Sequence, residues 1–293
     1  AQNVWKVEGE DRFTAKDGRE VTEEEIKQIL ERDSKPIPEF WRNKYINEAR
    51  RMWDVFYRLN GDRCYIHTPS ECIALLNFQP RFFKDRHYLD KEWDELRPGS
   101  SCKRVLEVGC GVGNTTLPLL RLNPELHISC CDFSDNAIDI LKKNADYDPE
   151  RCTAFVSDIT KDSLTDVVEK NSIDVCLIVF VLSAIAPAKM LSSLQNLAET
   201  LHPGGIVLFR DYALYDMAQL KMAEPRKHKI SENFYVRKDG TSAYYFEQKE
   251  LISLFDEAGF DVDTCDLHRR AVVNRKEGST MHRRWLQARF IKR

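Results

Sequence analysis

Leu106 to Asn114 reads LEVGCGVGN. Three glycines fall on alternate positions, Gly109, Gly111 and Gly113, after the strand-like run RVLEV and before the helix-like run NTTLPLLRL. A glycine turn between a strand and a helix lets the backbone approach a ligand closely. A dinucleotide site would read G-x-G-x-x-G, with a helix N-terminus facing pyrophosphate. Here the spacing is G-x-G-x-G and the acid Glu107 precedes the turn, a poor match to pyrophosphate.

The next two strands narrow the ligand. HISCCDF ends near Asp132, nineteen residues past Gly113. An acid at that place can accept from two ribose hydroxyls. TAFVSD ends in Asp158, placed to accept from an adenine amino group. Ribose and adenine without pyrophosphate describe S-adenosylmethionine. The glycine turn alone is a weak signal. Joined to Asp132 and Asp158 at the ends of successive strands, it is a specific one. The plain alternative is an α/β domain with incidental aspartates at its strand ends.

From Lys103 onward strands and helices alternate. DNAIDILKKN is a predicted helix capped by Ser134 or Asp135, DVCLIVFVL a buried strand, AKMLSSLQNLAETL a helix closed by HPGG, and IVLFRDY a fifth strand. His202 reads as a loop residue. Near-continuous apolar strands between helices predict a parallel sheet covered on both faces. After Asp211 the alternation breaks. FYVRKDGTSAYYF predicts a hairpin around Asp239-Gly240, QKELISLFDEAG a helix stopped at Gly259, and DVDTCDLHRRAVV with RRWLQARFIK an antiparallel edge. Upstream, SKPIPE (Ser34 to Glu39) and RPGSS (Arg97 to Ser101) read as linkers. NEARRMWDVFYRL predicts a helix with Met52, Phe56 and Leu59 on one face and Trp53 and Tyr57 beside it.

The 293 residues are 42% hydrophobic, enough for one large core or a core with an appendage, and carry a formal net charge of -3. The charge is unevenly spread. Nine Lys/Arg and one acid lie between His268 and Arg293, while the first forty residues lean acidic, with TEEE at Thr22 to Glu25. A near-neutral total can therefore carry a basic face. The nine cysteines form no C-x-x-C pair, which predicts reduced, buried thiols and no metal site. The longest apolar run, VCLIVFVLSAIA, is too short to span a bilayer. The expected location is cytoplasmic or nuclear. A mitochondrial one stays open, because the sequence begins AQNVWK without an initiator Met.

LEVGCGVGN, CDFS, IVFVLSA, LFRDYALYD and ENFYVRKDGT, with FFKDRHYL and WDVFY upstream, together resemble the tRNA (cytosine-N3) methyltransferases. The resemblance runs from about Trp53 to the C-terminus. It implies a Rossmann-like class I methyltransferase fold: a mostly parallel seven-stranded sheet with an antiparallel C-terminal edge, plus an N-terminal helical extension. Residues 1–100 are then the helical, RNA-binding extension, and 101–293 the methyltransferase domain with an inserted hairpin at about 213–246. It implies S-adenosylmethionine as cofactor, with contacts from Trp53, Tyr57, Gly109, Gly111, Asp132, Asp158, Ile159 and Val179. It implies methylation of a cytosine in the anticodon loop, at position 32, of threonine, serine or arginine tRNA. TMHRRWLQARF is more similar to the threonine branch. An aminoacyl-tRNA synthetase or another tRNA-modifying protein is the expected partner. The stretch Gly61 to Pro80 departs from the family pattern as an insert between WDVFY and FFKDRH.

For RNA contact the candidates are Lys84, Arg86 and His87 among aromatics, Tyr215, Tyr235 and Arg237 around the hairpin, and Arg283, Arg284 and Arg289 in the basic strands. For each, a solvated basic face or a packed core residue is the alternative. For the chemical step the candidates are Asp211, at the end of the fifth strand, and Tyr212 beside it. A fixed carboxylate could favour the charge that N3 methylation creates, and aromatic faces could stack an extruded cytosine. FVLSAIAP carries neither an Asp/Asn-Pro-Pro-aromatic motif nor a Pro-Cys nucleophile. That suits a ring nitrogen that already owns a lone pair. Two other readings remain: a same-fold methyltransferase acting on a protein or small molecule, and a non-catalytic partner subunit.

Overall fold

Local caps set the first elements. The computed structural model describes residues 13–14, 20–60, 85–223, 228–274 and 279–293. The short strands β1 (Phe13–Thr14) and β2 (Glu20–Val21) pair antiparallel. Helix α1 (Glu23–Arg32) starts at a reciprocal cap, in which the Thr22 hydroxyl accepts from the Glu25 N–H and the Glu25 carboxylate from the Thr22 N–H. Helices α2 (Glu39–Asn47), α3 (Ala49–Asn60) and α4 (Leu89–Glu92) complete the N-terminal part. The insert Gly61 to Pro80 and Lys84 lie outside the described residues.

The alternating part follows as β3 (Arg104–Val108), α5 (Thr116–Leu122), β4 (His127–Asp132), α6 (Asp135–Lys143), β5 (Cys152–Val156), β6 (Ile173–Val179), α7 (Pro187–Ala198) and β7 (Leu201–Tyr212). After it come α8 (Met217–Met222), β8 (Lys229–Ser231), β9 (Phe234–Val236), β10 (Ser242–Tyr244), α9 (Gln248–Glu257), β11 (Phe260–Asn274) and β12 (Ser279–Lys292). The main sheet has seven strands in the order β11-β12-β7-β6-β3-β4-β5. β3, β4 and β5 pair in parallel, and β11 and β12 form the expected antiparallel edge. The expected hairpin is there, with β8 added as a third antiparallel strand. Asp239 closes its turn by accepting the Thr241 N–H at 3.0 Å and hydroxyl at 2.7 Å.

By packing, the chain divides into two units. The first is Arg50–Leu177 with Glu199–Ile206; the second is Ala1–Ala49, Ile178–Ala198 and Val207–Arg293. In the first unit Val105, Leu106, Val108, Ile128 and Cys130 fill the strand interior, and Ile138 and Leu141 cover it. The second unit is built on phenylalanines: Phe255 and Phe290 stack at 3.7 Å, and Phe209 meets Phe246, Phe255 and Phe290 edge-on.

Three sequence expectations need correction. SKPIPE is not a free linker, because Ile37 is buried and its N–H donates to the Lys229 carbonyl at 2.8 Å. The buried face of α3 is Phe56 and Tyr57 with Trp53 packed against them, while Leu59 is 67% exposed. His202 lies at the start of β7 rather than in a loop, with its Nε2 3.3 Å from the Asp174 carboxylate.

Candidate active site

In the first unit, the carboxyl ends of β3, β4 and β5 carry the glycine turn, Asp132 and the segment Ser157-Asp158. Gly109, Gly111 and Gly113 all have positive φ, at +63°, +55° and +88°. At Gly111 a Cβ would stand 2.8 Å from the Tyr57 hydroxyl oxygen. The turn thus needs glycine for both its backbone conformation and the approach of Tyr57.

Tyr57 reaches the turn because α3 is tied to α6. The Ser134 hydroxyl caps α6 by accepting the Ala137 N–H at 3.2 Å and donates to the Asp54 carboxylate. Arg50 donates to Asp135 at 2.7 Å. Phe56 and Tyr57 are buried with Val112 and Ala137, and Trp53 packs on them. The two aromatics that the family resemblance assigned to the cofactor therefore lie against the glycine turn.

Asp132 is 5% exposed. Its Oδ2 accepts the Gly111 N–H and its Oδ1 the Ser134 N–H, both at 2.9 Å. Burial pushes its pKa up to about 6, and the two N–H donors only partly offset that. Each oxygen retains a lone pair for a further donor. Ser157, at the end of β5, has its hydroxyl oxygen buried with no hydrogen-bond partner among the described residues. A buried carboxylate short of donors and an orphaned hydroxyl are what a hydroxyl-rich nucleoside would complete. The residues present fit S-adenosylmethionine.

Asp158 is more fully engaged. Its Oδ1 accepts from the Thr160 N–H at 3.1 Å and hydroxyl at 2.7 Å, and its Oδ2 lies 2.8 Å from Lys161 Nζ. Burial raises its pKa, but Lys161 and Thr160 outweigh burial and hold it below the ordinary value. Ile159 beside it is half-buried. Glu107 is fully buried beneath the turn, where the Thr116 hydroxyl donates to it, and burial raises its pKa. Arg86 donates to the Thr115 hydroxyl at 2.9 Å, and its N–H donates to the Asn114 carbonyl at 2.8 Å. It supports the start of α5. His87 is exposed, 3.5 Å from the Asp85 carboxylate.

The second unit holds the other candidates. Val179 is buried at the end of β6. Phe180 follows at φ +59°, the left-handed region, which strains a bulky side chain. Its N–H is held by the Arg210 carbonyl at 2.7 Å, and its ring lies 4.9 Å from that of Tyr212. Asp211 has no exposure. Its Oδ2 accepts the Ser183 N–H and its Oδ1 the Tyr212 N–H, both at 2.9 Å. Burial pushes its pKa up to about 6. Asp211, expected to face the methyl-transfer site, holds the turn after β6 and Tyr212 through those two N–H groups and is wholly enclosed. The Tyr212 ring is itself engaged, with the Arg237 guanidinium 5.3 Å and that of Arg283 5.9 Å from its centre, and Tyr245 packed beside it.

The remaining RNA candidates lie further into the structure than the sequence suggested. Tyr235 is buried against Tyr245, and Arg284 is 6% exposed over the Phe13 ring with its Nε on the Leu214 carbonyl. Neither side chain is available as an RNA face, because packing uses both. Arg283 Nε donates to both oxygens of buried Asp216, at 3.1 and 2.8 Å. Arg289 pairs with Asp263 at 2.7 Å. Tyr215, at φ +68°, packs its ring edge-on to Phe13 at 6.0 Å. Sequence reasoning missed Ser157 and Phe180. Ser157 was legible as the neighbour of an end-of-strand aspartate, whereas a phenylalanine gives no sequence sign of a left-handed backbone.

Comparisons with known proteins agree with this geometry. A family described as a methyltransferase domain matches residues 106–207. The chain is 42% identical to the tRNA N(3)-cytidine methyltransferase METTL6 of Homo sapiens, over 93% of this chain and 89% of that protein. It is 38% identical to the tRNA N(3)-cytidine methyltransferase METTL2 of Danio rerio, over 93% and 82% of the two chains. With the tRNA N(3)-methylcytidine methyltransferase trm141 of Schizosaccharomyces pombe it shares 42% identity, over 86% and 95%. Among solved structures, a SAM-dependent methyltransferase of Methanosarcina mazei has a similar fold, with a TM-score of 0.50, 17% identity and coverage of 66% of this chain and 93% of that one.

Proposed function

The chain belongs to the tRNA N(3)-cytidine methyltransferase family, and from that premise we propose that it forms 3-methylcytidine in tRNA. The observation that carries this reading is the 42% identity to a tRNA N(3)-cytidine methyltransferase across 93% of the chain. The position is cytosine 32 of the anticodon loop, in threonine tRNA first, with serine and arginine tRNA as further acceptors. An aminoacyl-tRNA synthetase or another tRNA-modifying protein presents the substrate. The work is done in the cytoplasm or nucleus. The seven cysteines among the described residues are free thiols, six of them buried, which supports a reducing compartment.

When bound, S-adenosylmethionine supplies an electrophilic methyl group on its sulfonium sulfur. In the proposed assignment Asp132 accepts from the ribose hydroxyls, Ser157 and Asp158 meet the adenine, and Trp53 and Tyr57 wall the turn. Gly109, Gly111, Ile159 and Val179 line the rest of the cofactor's path. Cytosine N3 already owns its attacking lone pair, so no residue need remove a proton from it. The chain's task is to align the base and exclude water. Phe180 offers the base an aromatic face. Tyr212 holds that ring, and Asp211 holds Tyr212 and Ser183 by their N–H groups. Lys84, Arg86, His87, Arg237 and Arg289 meet RNA phosphates.

The test is transfer of labelled methyl from S-adenosylmethionine to total tRNA, with a protein extract and a small-molecule extract as competing acceptors. Label in tRNA, recovered as 3-methylcytidine, is the expected result. Label only in protein or small molecules would support the same-fold alternative. Cofactor binding without any transfer would support a non-catalytic subunit.

A further inference from the structure

Helix α2, EFWRNKYIN, has no buried residue. A nine-residue helix is marginal in water unless its side chains find a partner. Ile37 pins the chain one residue before the Pro38 cap, and the first turn of the helix then presents its side chains outward while Arg42, Lys44, Tyr45 and Ile46 are half-buried. Phe40 is 69% and Trp41 44% exposed. Their rings meet edge-on at 5.3 Å. Tyr45, one turn along, stacks with Trp41 at 6.2 Å and 30°. Lys44 Nζ sits 5.0 Å from the centre of the Trp41 ring, and the half-buried Arg42 has its Nε covered and without a hydrogen-bond partner among the described residues. Neighbouring water-exposed aromatics of this size in the first turn of a short helix point to a ligand.

We propose that this face of α2 stacks unpaired bases of the tRNA substrate, an assignment that rests on the tRNA reading above. Three aromatic rings within one and a half turns, interleaved with Arg42 and Lys44, match the chemistry of a nucleic-acid single strand: π faces for bases and cations for the backbone between them. The charge is complementary to phosphate, with two cations against the single acid Glu39 in the helix. A protein partner is less well matched. It would want aliphatic side chains among the aromatics, and the helix holds only Ile46.

The test uses the full chain and its Phe40→Ala/Trp41→Ala, Trp41→Phe and Arg42→Ala/Lys44→Ala variants. The probes are a threonine tRNA transcript and an unstructured pyrimidine oligonucleotide. The alanine pair at 40 and 41 should weaken both probes about tenfold or more, with an unchanged salt slope, because stacking releases no counterions. Trp41→Phe should restore most of the affinity. Arg42→Ala/Lys44→Ala should flatten the salt slope by about two units. Free-cofactor affinity should match the parent throughout, and so should the thermal midpoint of the variants at 40 and 41, whose side chains are exposed. Parent-like RNA affinity in Phe40→Ala/Trp41→Ala, with methyl transfer to tRNA intact in the parent, would overturn the platform and leave the tRNA reading standing. Loss of a synthetase's binding in that variant, with bare tRNA binding unchanged, would reassign the face to protein. A parent that binds the oligonucleotide through these rings yet methylates no tRNA would defeat the functional reading and uphold the platform.

Discussion

The Tyr57 hydroxyl oxygen stands 2.8 Å from the place where a Cβ on Gly111 would be. The aromatic helix before the sheet is therefore fitted to a missing side chain in the glycine turn. Gly111→Ala meets two obstacles, a left-handed backbone at φ +55° and the tyrosine oxygen. The backbone term alone costs roughly 1–2 kcal/mol. Gly111→Ala should lower the unfolding midpoint and weaken cofactor binding. Adding Tyr57→Phe removes the oxygen but not the strain, so the double variant should recover part of the loss. Thermal unfolding with cofactor calorimetry checks both; full recovery would mean that the backbone strain is negligible.

Asp132 gives a pH dependence of defined sign. Its folded pKa, about 6, stands above its ordinary value of 3.8. In the ligand-free protein its contribution to stability is therefore present below about pH 4 and is lost as pH rises through 6. Asp211 acts in the same direction over the same window. Ligand hydroxyls need the carboxylate, so cofactor binding runs the other way and weakens as pH falls below 6. Calorimetric titrations between pH 5 and 8 should show that step in the parent and lose it in Asp132→Asn. A step of equal size in Asp132→Asn would assign it to another group.

Asp216 is fully buried, and it accepts both Arg283 Nε and the Arg284 N–H. Breaking a buried pair costs roughly 3–5 kcal/mol. Arg283 keeps a third of its side chain in water, so about 2–3 kcal/mol is expected for Asp216→Ala. Chemical denaturation measures this. Arg289→Ala, which breaks an exposed pair, should change stability by less than about 1 kcal/mol.

Phe180 is strained by its backbone and held by its ring. Phe180→Gly relieves the φ of +59° while deleting the contact with Tyr212, two effects that oppose each other. Its midpoint should stay near the parent's while single-turnover methylation of tRNA falls at least tenfold. Phe180→Ala keeps the strain and should be the less stable of the two. A parent-like turnover rate in Phe180→Gly, measured by rapid quench, would remove the ring from the proposed base contact.

The frame of the fold was legible because its signals are local. Glycines at 109, 111 and 113, apolar strand runs and aspartates at strand ends all announce themselves within a few residues. The Asp239-Gly240 turn was legible for the same reason. The misreadings came from long-range packing. Nothing near Arg284 says that Phe13 covers it, and nothing near Asp211 says that Ser183 takes one of its oxygens. Helical periodicity grouped Leu59 with Phe56 on one face of α3, but Leu59 is exposed while Phe56 and Tyr57 meet Val112 and Ala137. A basic count along β11 and β12 could not separate the buried Arg284 from the paired Arg289, because burial is set by which strand lies opposite.

The most direct measurement is nucleoside mass spectrometry of threonine tRNA incubated with the protein and S-adenosylmethionine, alongside the same transcript with uridine in place of cytosine 32. The proposed activity predicts 3-methylcytidine in the first and none in the second. An equal yield in both would contradict the position, and a methyl group on any base other than cytosine would contradict the activity itself.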